Sequence, residues 1–303
     1  MKRYWCLFTI AVAAACLGSA THASAQFEKI AVRNPPRPNQ TIRMRMVQEG
    51  DMKMSMEGLP AGAPPGLGAM HMVTKNIMLM TQKIGPADAQ GNVTAETTFD
   101  QVSAEATMNG QPSSAAPPKN PLEGQTITVV YDKQGSIVDT KLLSVSGVPM
   151  DTFKQMMESF YGKVPTAMVG IGETATVPLD FTIPLPIPGA AQQMKMNGEV
   201  KYKLVSIDKE AAGRIATFDQ TTDGKLVSDL DIPGPNGAMK MSMDFKLNGT
   251  GKAVNNIDAG FVKQSESTST ITGTLRINGG ANGPTNMNMS MQGIQKVTIT
   301  GEN

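Results

Sequence analysis

The residues of this chain best equipped for chemistry are its methionines. The letters MKMSM occur at 52–56 and again at 239–243, within a total of 23 methionines in 303 residues. Thioether sulfur is soft and neutral, which suits Cu(I) or Ag(I) in an oxidising compartment. Met-x-Met on a strand sets two sulfurs on one face, about 6.6 Å apart by the strand rise. A third sulfur from a neighbouring strand would complete a trigonal site. Met239, Met241 and Met243 are the candidates for such a Cu(I)/Ag(I) site. Met70-His71-Met72 is a poorer cluster, because a strand sends Met70 and Met72 to one face and His71 to the other, polar one.

The same side chains support a different chemistry. Methionine is unbranched and adaptable, and it suits a core or a surface that accepts variable apolar shapes. Met54, Met56, Met70, Met72, Met194, Met196, Met239, Met241, Met243 and Phe245 are therefore the candidate lining of a hydrophobic-ligand pocket. Phe245 and Leu247 continue the 239–243 stripe without a break, as core or pocket lining would. Two versions follow: stripes that pack into a dry core, or a curled sheet that leaves a cavity for an acyl chain or similar molecule.

Enzyme signatures are missing from the sequence. It has no Gly-x-Ser-x-Gly, His-Glu-x-x-His, Walker or dinucleotide motif. The acid pairs Asp208/Glu210 and Asp229/Asp231 sit at turn or loop edges, where solvated carboxylates are the ordinary outcome. The Asp/Gly turns lack calcium-loop spacing. The expectation is a non-catalytic protein with no cofactor.

The elements that must position these residues begin after residue 25. Residues 1–25 read as a secretory signal peptide: Lys2 and Arg3, an apolar run from Trp5 to Leu17, then Ala23-Ser24-Ala25. Cys16 after Ala13-Ala14-Ala15 offers an alternative, a lipoprotein anchor. Both cysteines and His22 lie in this segment, so cleavage after Ala25 leaves no thiol and leaves His71 as the single histidine. It also removes two bases, taking the net charge from +1 to −1, with 25 bases against 26 acids. The expected location is exported, most simply periplasmic. A near-neutral chain without a basic cluster argues against nucleic acid, and no later apolar run is long enough for a membrane span.

Residues 26–40 form a Pro-rich lead-in. Beyond it, apolar residues recur with period two, which marks strands with one buried face. Met44, Met46, Met52, Met54 and Met56 share one parity, opposed by Arg43, Arg45, Lys53 and Ser55. Met194, Met196, Val200, Tyr202 and Leu204 form another stripe. Gly/Pro/Asn-rich loops at 57–69, 109–124, 184–193, 233–238 and 278–286 alternate with short Asp/Gly turns at 85–91, 132–135, 208–213 and 258–260. An up-and-down meander produces that alternation, with long loops at one end and tight turns at the other. Phe153, Met156, Met157 and Phe160 have helical spacing, so 148–162 is read as a helix. It divides a first β half, 41–147, from a similar second half, 163–303, with about five and six strands. The expected fold is all-β with one short helix, a strongly curled, half-barrel-like antiparallel meander of about eleven strands built from two similar halves.

Met-x-Met strands, YDKQGSIVD (131–139), the Phe/Met helix and FYGKVPTAMVGIGETATVPLDF (160–181) together resemble an uncharacterised bacterial domain-of-unknown-function family of secreted proteins. The resemblance covers most of the chain beyond the signal and implies no activity. The architecture is similar to that of periplasmic lipoprotein-carrier half-barrels and their mycobacterial lipid-binding relatives. The leading expectation is an exported binding protein for a hydrophobic ligand, a lipid or lipidated envelope partner. The alternatives are a methionine-based Cu(I)/Ag(I) protein and a structural envelope module with a dry core.

Overall fold

The computed structural model describes residues 28–32, 35–59, 68–112, 120, 122–142, 168–187, 190–232, 239–278 and 287–303. The signal segment and the helix expected at 148–162 lie outside them. Fifteen strands are described. They are β1 (Ile30–Ala31), β2 (Gln40–Glu57), β3 (Ala69–Ala87), β4 (Val93–Met108), β5 (Gln111–Pro112), β6 (Thr126–Tyr131), β7 (Ile137–Leu142), β8 (Met168–Val169), β9 (Thr174–Pro178), β10 (Phe181–Ile187), β11 (Ala190–Glu210), β12 (Gly213–Ile232), β13 (Met239–Asn256), β14 (Phe261–Asn278) and β15 (Met287–Glu302). No helix occurs among the described residues.

One antiparallel sheet holds nearly all of them, in the order β10-β11-β12-β13-β14-β15-β2-β3-β4-β6-β7. The eleven strands of this path match the expected count. Two short strands add to it, β5 on β4 and β9 on β11, and β1 with β8 forms a separate two-stranded pair. The sheet is open: among the described residues its edges, β7 and β10, pair with no further strand. The long strands run 16 to 21 residues, so at the usual rise they reach roughly 50–70 Å.

Local chemistry explains the turns. Asp88 Oδ1 accepts hydrogen bonds from the Gln90 and Asn92 amides at 2.9 and 2.8 Å. Asp132 Oδ1 does the same for Gln134 and Ser136 at 2.9 and 2.8 Å. These side chains mimic a backbone turn and fix each hairpin. Two stretches expected to be loops behave otherwise. Within 109–124, Asn109 and Gly110 take φ of 50° and 76°, an Asn-Gly turn that folds β5 back onto β4. Within 184–193, β10 and β11 pair as far as Ile187 and Ala190. Pro184 and Pro186 are tolerated there because β10 is an edge strand, whose outer side needs no amide donor.

Burial is concentrated toward the tight-turn end. One core joins Ile42, Met44, Met46, Met78, Phe99 and Tyr131 to Phe261, Val297 and Ile299. A second gathers Tyr202, Leu204, Phe218, Ala253 and Ile257 with Ile30, Val32 and Val169. Thus part of the Pro-rich lead-in is core: β1 crosses to β8 and packs under β11–β13. The ion cluster at Arg214 ties it down. Arg214 donates from Nε to Asp258 Oδ1 at 2.9 Å and from its backbone amide to Oδ2 at 2.8 Å, and its guanidinium also engages Glu28. Toward the long-loop end the strands become half-exposed, with inner and outer residues alternating regularly along β14 and β15.

Candidate functional site

The register of the sheet arranges the apolar face into rows that run across the strands. Met196, Leu226, Phe245, Gly273, Met291, Met54 and Met70 form one row over seven successive strands, β11 to β3. The next row toward the turn end contains Leu247, Ile271, Gly293, Met52 and Met72. Toward the loop end come Met243–Leu275–Met289–Met56 and Met241–Ile277–Met287. The opposite face is polar, carrying Lys53, Ser55, Thr272, Thr274 and Ser290. A strand with this alternation has one face for water and one for apolar contacts.

The sheet curls far enough to close these rows around a space. A cavity of about 200 Å³ is lined by Met52, Met196, Leu226, Phe245, Leu247, Ile271 and Met291, with Gln48, Gly50, Thr74 and Gln295. In a flat sheet Met196 and Met52 would lie five strand spacings, roughly 24 Å, apart. Here both line one cavity. Glycines on the inner face permit the curl. A Cβ at Gly293 would lie 2.5 Å from Met52 Cγ, and one at Gly50 would lie 2.7 Å from Thr74 Oγ1. Glycine at such positions marks a tight bend and a close approach of neighbours.

The cavity wall carries no inward-facing charge among the described residues. Lys246 contributes to the rim, but it sits on the exposed face of β13. The polar residues cluster at the turn-end side. Gln48 and Gln295 are each only 8% exposed, and Met46, two residues below Gln48, belongs to the dry core.

The structure distributes the sequence candidates unevenly. Met196 and Phe245 line the cavity, and half-buried Met194 packs beside Met196 and Leu226. Met54 and Met70 occupy the same row as Phe245, three and four strands further on, and Met72 pairs with Met52. Met56, Met241 and Met243 lie nearer the loop end, half-exposed, with Met56 opposite Met289. The side chain of Met239 is outside the described residues. For the copper arrangement the register matters: Met241 faces Leu230 and Ile277, and Met243 faces Ser228 and Leu275. No methionine stands directly opposite either one. Sequence reasoning left Met52, Met291, Leu226 and Ile271 out of the pocket, although all continue period-two stripes, and it placed Leu247 in the stripe of Phe245. Gln48, Thr74 and Gln295 interrupt such stripes at inward positions, which was the available signal for a polar spot.

Other candidates are surface features. His71 Nε2 lies 2.8 Å from Asp51 Oδ1 on the outer face. Asp208 accepts from Ser206 Oγ at 2.8 Å, and Glu210 pairs with Lys263 at 2.7 Å, all exposed. Glu173 of the GETA segment has a structural task. It accepts from the Gly170 amide at 2.8 Å and meets Lys29 Nζ at 3.0 Å, and that amide, then Lys29, hold its carboxyl below the usual range.

No family model matches the chain, and no curated protein matches it. Likeness to solved structures is slight. One described as "Asymmetric conductivity of engineered proteins" aligns with 84% of this chain and 99% of its own, at 8% identity and a TM-score of 0.25. The secretin-domain β-barrel of InvG from the Salmonella SPI-1 injectisome aligns with 86% of this chain and 61% of its own, at 8% identity and a TM-score of 0.13. At these scores neither bears on function.

Proposed function

We propose that this chain is a non-catalytic binding protein for a hydrophobic ligand, exported to the bacterial envelope, where a lipid or a lipidated component is the natural occupant. The observation that carries the reading is the cavity whose apolar wall is drawn from strands as far apart as β11 and β2. Uncharged cavities lined by aliphatic, aromatic and thioether groups bind apolar molecules by removing their surface from water, about 25 cal/mol per Å². The half-exposed methionine rows between the cavity and the loop end supply an adaptable approach surface. The signal-like residues 1–25 support the compartment.

The test is native mass spectrometry of the protein purified gently from its host envelope, paired with a fluorescent lipid probe. A bound lipid mass is the expected result. Leu226→Asp with Met291→Asp should abolish probe binding while the β-sheet circular dichroism persists. Unchanged uptake by that folded double variant would refute the reading.

A second reading rests on a different observation. Met70, Met54 and Met291 stand directly opposite one another on three adjacent strands. Opposed side chains have Cβ atoms about 5 Å apart, so three thioethers can converge on one soft cation. If Cu(I) is the ligand, Met54→Leu should remove it while preserving the fold; full Cu(I) affinity in that variant excludes the site.

A further inference from the structure

The cavity is apolar along most of its wall, but its turn-end side is not. We propose that Gln48, Thr74 and Gln295 form a recognition site for an uncharged, hydrogen-bond-donating head group, so that the ligand is a neutral lipid bearing a hydroxyl or amide. The inference rests on the binding reading above and specifies its ligand.

Three observations place these groups together. Gly50 pairs with Gln295 on β15 and with Thr74 on β3. Gln48 lies two residues along β2, on the same face and diagonal to Gln295. Gly50 has no side chain, so its neighbours share the space above it. The closeness is measurable, since a Cβ at Gly50 would come within 2.7 Å of Thr74 Oγ1. All four residues line the cavity.

The decisive feature is Gln48. Its side chain is more than nine-tenths buried, and its Oε1 has no hydrogen-bond partner among the described residues. A buried acceptor left unpaired is costly, and native proteins rarely keep one without a reason. A glutamine at a position where the stripe otherwise carries Met44, Met46, Met52 and Met54 adds nothing to the core. It leaves an unpaired acceptor within the wall of an otherwise apolar chamber. A turn of the Gln48 amide toward the cavity it lines lets a ligand hydroxyl or amide N–H donate to this oxygen, and the apolar remainder of the ligand runs past Phe245 and Met291 toward the loop end.

The same geometry sets the charge of the head group. Burying a carboxylate or phosphate without a cation is strongly unfavourable. Among the described residues, the inward-facing polar groups of the wall are amides and a hydroxyl, and Lys246, at the rim, is on the outer face of β13. Neutral lipids are selected over anionic ones.

The experiment displaces a fluorescent lipid probe from the full mature protein at neutral pH with dodecanol, dodecyl methyl ether or dodecanoate. The chains match; only the alcohol can donate and remain neutral. Dodecanol should bind about tenfold more tightly than either of the others, the effect of one additional hydrogen bond. Gln48→Met conserves volume and should erase the alcohol-over-ether preference. Gln295→Met provides a second variant should the first fail to fold. Equal affinity for all three ligands, or a preference untouched in the variants, overturns this assignment and leaves the cavity reading standing. Failure of the protein to bind the probe or any of the three overturns both.

Discussion

Phe245 on β13 lies directly opposite Gly273 on β14, and its ring occupies the place where a side chain at 273 would stand. A Cβ there would overlap Cδ1 of the ring and fall 2.7 Å from Phe245 Cα. The ring covers the glycine backbone and contributes to the cavity wall at the same time. A bulky aromatic across from a glycine is a recurrent device for holding a bent strand pair.

Gly273→Ala should therefore destabilise the protein by about 1–3 kcal/mol, the usual cost of overpacking where backbone must shift. It should also weaken lipid-probe binding by displacing Phe245. Urea unfolding followed by circular dichroism measures the first effect and probe titration the second. Unaltered values for both would show that the pair has slack.

Gln48→Met is expected to raise the stability of the ligand-free protein, because it removes a buried acceptor that has no partner. The gain should be about 1–3 kcal/mol. A higher midpoint in urea without ligand, together with a smaller ligand-induced shift, is the expected pattern. A fall in stability would mean that the glutamine contributes to the resting fold.

Asp258 should make the fold acid-sensitive. The Arg214 guanidinium, together with the Arg214 backbone amide, holds its carboxyl below the usual aspartate range. A depressed folded pKa gives stability that is complete above the unfolded value and is lost as pH falls through the folded one. Asp258→Asn should lower stability at neutral pH by about 2 kcal/mol, as for a charged hydrogen-bonded group, and flatten the decline below pH 4. Urea titrations across pH read both changes. The loosened partner includes Glu28, so the β1 segment should become more open to protease.

His71→Ala serves as a contrast. The ring sits on the outer, polar face against Asp51 and is about half exposed. Stability should change by less than about 0.5 kcal/mol, and lipid-probe affinity should not change. A loss of binding would move the site to the other face of β3.

The stripes that build the sheet are legible from sequence because side chains on a strand alternate strictly. Met44 through Met56 announce β2, and Met70 and Met72 fall opposite Met54 and Met52 as parity allows. Asp88 and Asp132 likewise announce their turns. The strand path through Pro184 and Pro186 was hidden, since proline discourages a strand unless its place at an edge is known. The pairing of β15 with β2 was also hidden. Ser55 and Ser290 meet with their hydroxyl oxygens 2.6 Å apart although 235 residues separate them, and period two says nothing about which distant strand is the neighbour. The cavity depended on that pairing, as Met52 and Met291 reach it from either side of the same junction. Gln48 and Gln295 could have been flagged as polar residues on apolar parities.

The order of strands in the sheet is a rotation of their order in the chain, with the last long strand docked against the first. During folding, β2 exposes a bare hydrogen-bonding edge until β15 arrives. A chain made from one end can zip each hairpin as it emerges, but this seam waits for its final strand. Joining distant strands late carries a large loop-closure cost and slows folding. The unprotected β2 edge is meanwhile a template for another copy of the same segment. The seam that closes last thus runs through the middle of the sheet, along one side of its cavity.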